Sequence, residues 1–81
     1  MESIRVVVAE DSRLLREGIS RLVAAHDDFE LVGVASDLPQ LLAVIEEQLP
    51  DVVVTDIRMP PTGTDEGIQA AAWLRANRPQ V

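Results

Sequence analysis

Ile4-Arg5-Val6-Val7-Val8-Ala9-Glu10-Asp11-Ser12 runs from an almost wholly apolar stretch straight into two acids. A strand covered on both faces reads as such a continuous β-branched run. The same grammar returns in Asp51-Val52-Val53-Val54-Thr55-Asp56, and Glu30-Leu31-Val32-Gly33-Val34-Ala35 supplies a third run between them. The intervening segments change period. From Ser12 to about His26, Leu15, Ile19, Leu22 and Val23 fall on one stripe, with Arg13, Arg16, Glu17 and Arg21 away from it. That spacing predicts an amphipathic helix. Asp37 is placed to cap a second helix running to about Leu49, with Pro39 in its first turn, Pro50 beyond its end and Leu41, Leu42, Val44, Ile45 and Leu49 as its apolar face. Ile57 to Thr64 reads as a loop, after which Thr64 or Asp65 is expected to cap a third helix ending near Asn77.

Strands alternating with helices define an α/β chain with a parallel sheet. Eighty-one residues hold one small domain at most. There is no Cys, so no disulfide supplements the core, and a reducing cytoplasm suits the composition. No apolar run approaches the roughly 18 residues of a membrane span, and the first residues lack a signal-peptide pattern. A cytoplasmic location without membrane association is therefore expected. Fourteen acids against seven Arg and no Lys give a net charge of −7. Such a surface repels phosphate backbones, so this chain is not expected to bind DNA itself.

Right-handed crossovers constrain the topology. If the second crossover returns past the first strand, the order is 2-1-3 with helices on both faces. The result is a flavodoxin-like doubly wound sheet. Its first and third strands then diverge at their carboxyl ends and open a crevice there. The acids fall at that crevice, with Glu10 and Asp11 after the first strand and Asp56 after the third. Neighbouring strands lie about 4.8 Å apart, so three carboxylates crowd together. Like charges that close are destabilising unless one is protonated or a cation is bound. Few hard oxygen ligands beside open space suit Mg2+. A carboxylate in that setting can accept a phosphoryl group, which assigns Asp56 the role of nucleophile. Taken singly, Asp11-Ser12 reads more readily as a helix cap than as a metal ligand, and Asp56 equally as a turn residue. Together, at the tips of adjacent strands, they read as a site.

Val6-Val7-Val8-Ala9-Glu10-Asp11-Ser12, then Leu15-Arg16-Glu17-Gly18, then Pro50 through Asp56-Ile57-Arg58-Met59-Pro60 resemble the receiver domain of bacterial two-component response regulators. The likeness is to the transcriptional regulators with a LuxR/NarL-like helix-turn-helix, some of which carry a loop similar to Pro60-Pro61-Thr62-Gly63-Thr64-Asp65-Glu66-Gly67. The resemblance implies a CheY-like fold in which Asp56 accepts a phosphoryl group from a sensor histidine kinase or a small donor such as acetyl phosphate. It implies Mg2+ held by Glu10, Asp11, Asp56 and the main-chain carbonyl of Arg58, with Met59 and Pro60 shaping the adjoining loop. The family's Ser or Thr after a fourth strand and Lys after a fifth have no counterpart among these residues. Residues 1–81 are accordingly expected to be a receiver truncated after its third helix, with the rest of the receiver and any DNA-binding domain beyond Val81. An uncovered third strand is expected to make such a fragment self-associate.

Two other readings compete. An aspartate-nucleophile phosphohydrolase normally needs a second Asp two residues after the nucleophile, where this chain has Arg58. A pseudo-receiver would keep the fold as an interaction module without phosphorylation. Elsewhere, His26 is expected to serve a helix end, Trp73 to pack, Arg13 and Arg16 to solvate a helix face, and Gly63 and Gly67 to shape loop and helix entry.

Overall fold

The computed structural model describes residues 3–81. Three strands, β1 (Ile4–Ala9), β2 (Phe29–Ala35) and β3 (Val52–Thr55), alternate with helices α1 (Arg13–Ala24), α2 (Leu38–Gln48) and α3 (Glu66–Asn77). All strand pairs are parallel and the order is β2-β1-β3. Val6, Val7, Val8 and Ala9 sit opposite Val52, Val53, Val54 and Thr55. The β1–β2 register shifts by one residue between Val6 and Val7. The central strand is buried on both sides, which is why its sequence shows no alternation.

The two faces of the sheet are covered unequally. On one, Val7 and Ala9 meet Ala35, Leu41, Ile45, Met59 and Ala70, with Trp73 and Leu74 packed at the margin. Leu41 and Ile45 are fully buried, and truncating aliphatic side chains so placed typically costs about 2–5 kcal/mol. The helix approaches closely because β2 carries Gly33: a Cβ there would lie 2.6 Å from Val44 Cγ1. On the other face α1 lies over β1 and β2 and has no buried residue. Ile19 and Val23 are half-buried as their stripe predicts, but Leu15 and Leu22 remain 56% and 70% exposed. They lie on a side of the helix that no described element faces.

The helix ends follow local chemistry. Ser12 Oγ accepts from Leu15 N (3.4 Å) and Asp37 Oδ1 from Gln40 N (2.8 Å), as N-caps should. Leu49 closes α2 in the left-handed region, followed by Pro50. The third helix meets expectation only in part. Of the two expected caps, Asp65 takes the cap position, its main-chain oxygen accepting from Gln69 N (2.9 Å), but it makes no side-chain bond to the helix backbone; its Oδ1 instead accepts from Gln69 Nε2 (2.7 Å). The hydroxyl of Thr64 is taken up by neighbouring side chains.

Candidate functional site

The parallel ladder runs one residue past the strands, and this places the acids. Asp56 N donates to Ala9 O (3.0 Å) and Glu10 N to Ala35 O (3.0 Å), so each acid's main chain is fixed by the sheet on a different side of the end of β1. Asp11 follows in the short link to α1. One carboxylate oxygen from each of Glu10, Asp11 and Asp56 lies within 4.8 Å of the others. The three residues that the sequence brings to the switch point are thus in one cluster. Glu10 is buried, Asp56 half-buried and Asp11 exposed, which leaves the cluster open to solvent on one side.

The electrostatics are unrelieved. Burial pushes the Glu10 carboxyl above its ordinary value; the Ser12 N–H at 3.1 Å pulls the other way, and Asp11 and Asp56 add to the rise. The two ion pairs among the described residues, Arg13–Glu17 and Arg78–Glu46, lie elsewhere. Arg16 comes near but donates to the main-chain oxygen of Glu10 (2.9 Å) rather than to a carboxylate. It is half-buried and ties the β1–α1 link to the helix, a role beyond the surface solvation that its helix position predicts.

The donor set fits a hard divalent ion. It consists of three carboxylates without a nitrogen or sulfur ligand, and octahedral Mg2+ places opposite oxygens about 4.2 Å apart at its 2.0–2.1 Å bond lengths. The three carboxylate oxygens, within 4.8 Å of one another, lie on that scale.

Beyond Asp56 the chain turns sharply. Arg58 N donates to Asp56 Oδ1 (3.4 Å) and the Arg58 side chain is exposed. Met59 is fully buried in the core, while the carbonyl of the exposed Pro60 accepts from Leu38 N (3.0 Å). Thr55 Oγ1 donates to Asp56 O (2.9 Å). Gly67 is required by close approach: a Cβ there would overlap the Asp56 carbonyl oxygen and come within 2.8 Å of Ile57 Cα. The sequence missed Glu66. It is wholly buried, and Thr62 and Thr64 donate to its carboxylate. The only sequence signal was an acid two and four residues after two threonines at a helix start. His26 packs its ring against Phe29 (centroids 5.3 Å apart), and Trp73 packs at the core margin.

A doubly wound parallel sheet with carboxylates gathered where its strand order reverses defines a flavodoxin-like switch-point domain. Comparison narrows the class. Residues 6–81 match the family model "Response regulator receiver domain", and the chain belongs to that family. It is 43% identical over 75 residues to the probable transcriptional regulatory protein NarL of Mycobacterium tuberculosis, covering 93% of this chain and 33% of that protein. It is 45% identical over 76 residues to a protein-glutamate methylesterase/protein-glutamine glutaminase of Anaeromyxobacter dehalogenans, covering 94% of this chain and 21% of that protein. The solved receiver domain of the putative response regulator NarL from M. tuberculosis superposes with a TM-score of 0.85 at 42% identity, covering 94% of this chain and 59% of that one. The chain therefore spans a third or less of the curated relatives named here. It is a signalling receiver of the CheY-like fold, with the strand order 2-1-3 that its sequence predicts.

Proposed function

We propose that Asp56 is the phosphoacceptor of a Mg2+-dependent switch, charged by a sensor histidine kinase or by a small acyl phosphate. The single observation that carries this reading is the approach of Glu10, Asp11 and Asp56 to within 4.8 Å with no cationic side chain among the described residues paired to them. In the transfer, an Asp56 carboxylate oxygen attacks phosphorus as the bond to the donor nitrogen or oxygen breaks, leaving an acyl phosphate on Asp56 and returning the electron pair to the donor. Glu10, Asp11, Asp56 and the Arg58 carbonyl would hold Mg2+, which supplies the positive charge that lets a carboxylate and a phosphoryl group meet. The ladder bond from Asp56 N to Ala9 O fixes the nucleophile's backbone, and Met59, anchored in the core, fixes the far end of the turn with Pro60. Nothing at position 58 serves as a general acid for rapid turnover, which favours a stored signal over a hydrolytic cycle.

The relatives' greater length and the regulatory name of one of them support a transcriptional output through a C-terminal DNA-binding domain, with this acidic segment contacting the kinase rather than DNA. A cytoplasmic location follows from that reading, and no described helix is long and apolar enough to cross a membrane. Incubating the full-length protein with acetyl phosphate and Mg2+ should add one phosphoryl mass, stable in acid and lost to hydroxylamine. Asp56→Asn should abolish it, and a persisting adduct at full yield would remove Asp56 from the role.

A further inference from the structure

Glu66 is a buried carboxylate that phosphoryl transfer at Asp56 does not use. Its oxygens accept from Thr62 N (2.6 Å), Thr62 Oγ1 (2.5 Å) and Thr64 N (3.1 Å), and the Thr62 and Thr64 hydroxyls meet at 2.7 Å. The Thr62 hydroxyl, with help from the main-chain donors, outweighs burial and holds this carboxyl at about 2. The group is therefore charged and fully engaged at neutral pH, at the first residue of α3, where the helix dipole favours an anion.

Its place in the chain links this clamp to the acid cluster. The next residue, Gly67, donates to Ile57 O (2.8 Å) and lies against the Asp56 carbonyl. Gly63 N bonds to Met59 O (3.0 Å), and Leu38 N to Pro60 O (3.0 Å). The turn from Ile57 to Thr64 is thus tied at both ends and in its middle, and Arg58 lies between the sheet-fixed Asp56 and the core-fixed Met59. Of these ties, the Glu66 carboxylate is the one that gathers two main-chain positions of the turn and one hydroxyl onto a single side chain at the helix start.

We infer that Glu66 is a positioning residue for the divalent-cation site: by clamping Thr62 and Thr64 it holds the turn so that the Arg58 carbonyl faces the Glu10, Asp11 and Asp56 carboxylates. This rests on the reading of those acids as a Mg2+ site. Groups bonded directly to a metal ligand are commonly worth about 10–100-fold in affinity, and Glu66, which acts through Thr62 and Thr64, is expected at the lower end.

The test is a Mg2+ titration of the full-length protein. Glu66→Gln should weaken Mg2+ binding about tenfold. Thr62→Val, a milder change that keeps the carboxylate, should weaken it less, and the double variant should bind no worse than Glu66→Gln, because both break one clamp. Ile45→Val, which thins the core on α2, should lower the melting temperature and leave Mg2+ affinity unchanged. Unchanged affinity in Glu66→Gln, additive losses in the double variant, or an equal loss in Ile45→Val would each overturn the role of Glu66. Failure of the unaltered protein to bind Mg2+ would instead sink the reading of the acid cluster and this inference with it.

Discussion

The strand β3 is flanked by an acid on each side, Asp51 and Asp56, and the two ends of the sheet treat these acids differently. At the amino end, Asp51 is bonded twice to Arg5, once by main chain and once by side chain: Asp51 N donates to Arg5 O (2.8 Å) and Arg5 N donates to Asp51 Oδ2 (2.9 Å). The Arg5 guanidinium lies at the same end and binds the carbonyls of Gln48 and Leu49. Both Arg5 and Asp51 thus find hydrogen-bond partners within the chain. At the carboxyl end, Asp56 joins Glu10 and Asp11, the nearby Arg16 goes to a carbonyl, and burial with neighbouring acids raises the Glu10 carboxyl. Internally satisfied acids hold the fold, whereas a cluster left unneutralised is ready for an external cation.

The contrast can be broken by exchanging which acid is removed. Asp11→Asn should have the largest effect, weakening Mg2+ binding on the order of tenfold or more. A charge pair at about 4 Å is worth roughly 4 kcal/mol gross at an effective dielectric of about 20, and water restores part of that loss. Its stability without Mg2+ should rise slightly, since one like charge is gone; urea melts with and without Mg2+ measure both.

A second effect distinguishes the carboxyl-end acids from one another. The folded Glu66 carboxyl lies at about 2, below its unfolded value near 4.5. Its stabilisation is therefore present above the unfolded value and lost as pH falls through the folded one. Glu10 has the opposite sign: raised in the fold, it favours folding at low pH and loses that contribution as pH rises through its folded value. Stability measured between pH 5 and pH 2 should fall steeply in the unaltered protein and less in Glu66→Gln. Equal slopes would remove Glu66 as an acid-sensitive tie.

The smallest effect belongs to the amino end. Asp51→Asn keeps an oxygen to accept from Arg5 N, so stability should change by no more than about 0.5 kcal/mol. The yield of phosphoryl adduct should not change. A marked loss of adduct would mean that the two ends of the sheet do not differ as described.

Much of this was legible in the chain. The runs Ile4–Ala9 and Val52–Thr55, each followed by acids, gave strand identity and site together, because parallel central strands carry their apolar pattern openly and the switch point then fixes where their tips meet. Helix entries at Ser12 and Asp37 were equally plain. What stayed hidden depends on tertiary placement. Leu15 and Leu22 lie on the predicted apolar stripe, yet periodicity cannot tell which part of a stripe meets the sheet. At the entry to α3 the sequence placed the cap at Thr64 or Asp65, and Asp65 holds that position, but the side-chain bonds there are made by Glu66, which takes the donors of Thr62 and Thr64. Arg16 reads as a solvated helix residue until the β1–α1 link brings the Glu10 carbonyl within its reach.

Amide chemical shifts followed by NMR during a Mg2+ titration of the full-length protein address both ends of the sheet at once. Saturable shifts should appear at Glu10, Asp11, Asp56 and Arg58, while Arg5 and Asp51 stay fixed. Shifts of similar size at both ends, or none at Asp56, would contradict a divalent-cation site built by these three acids.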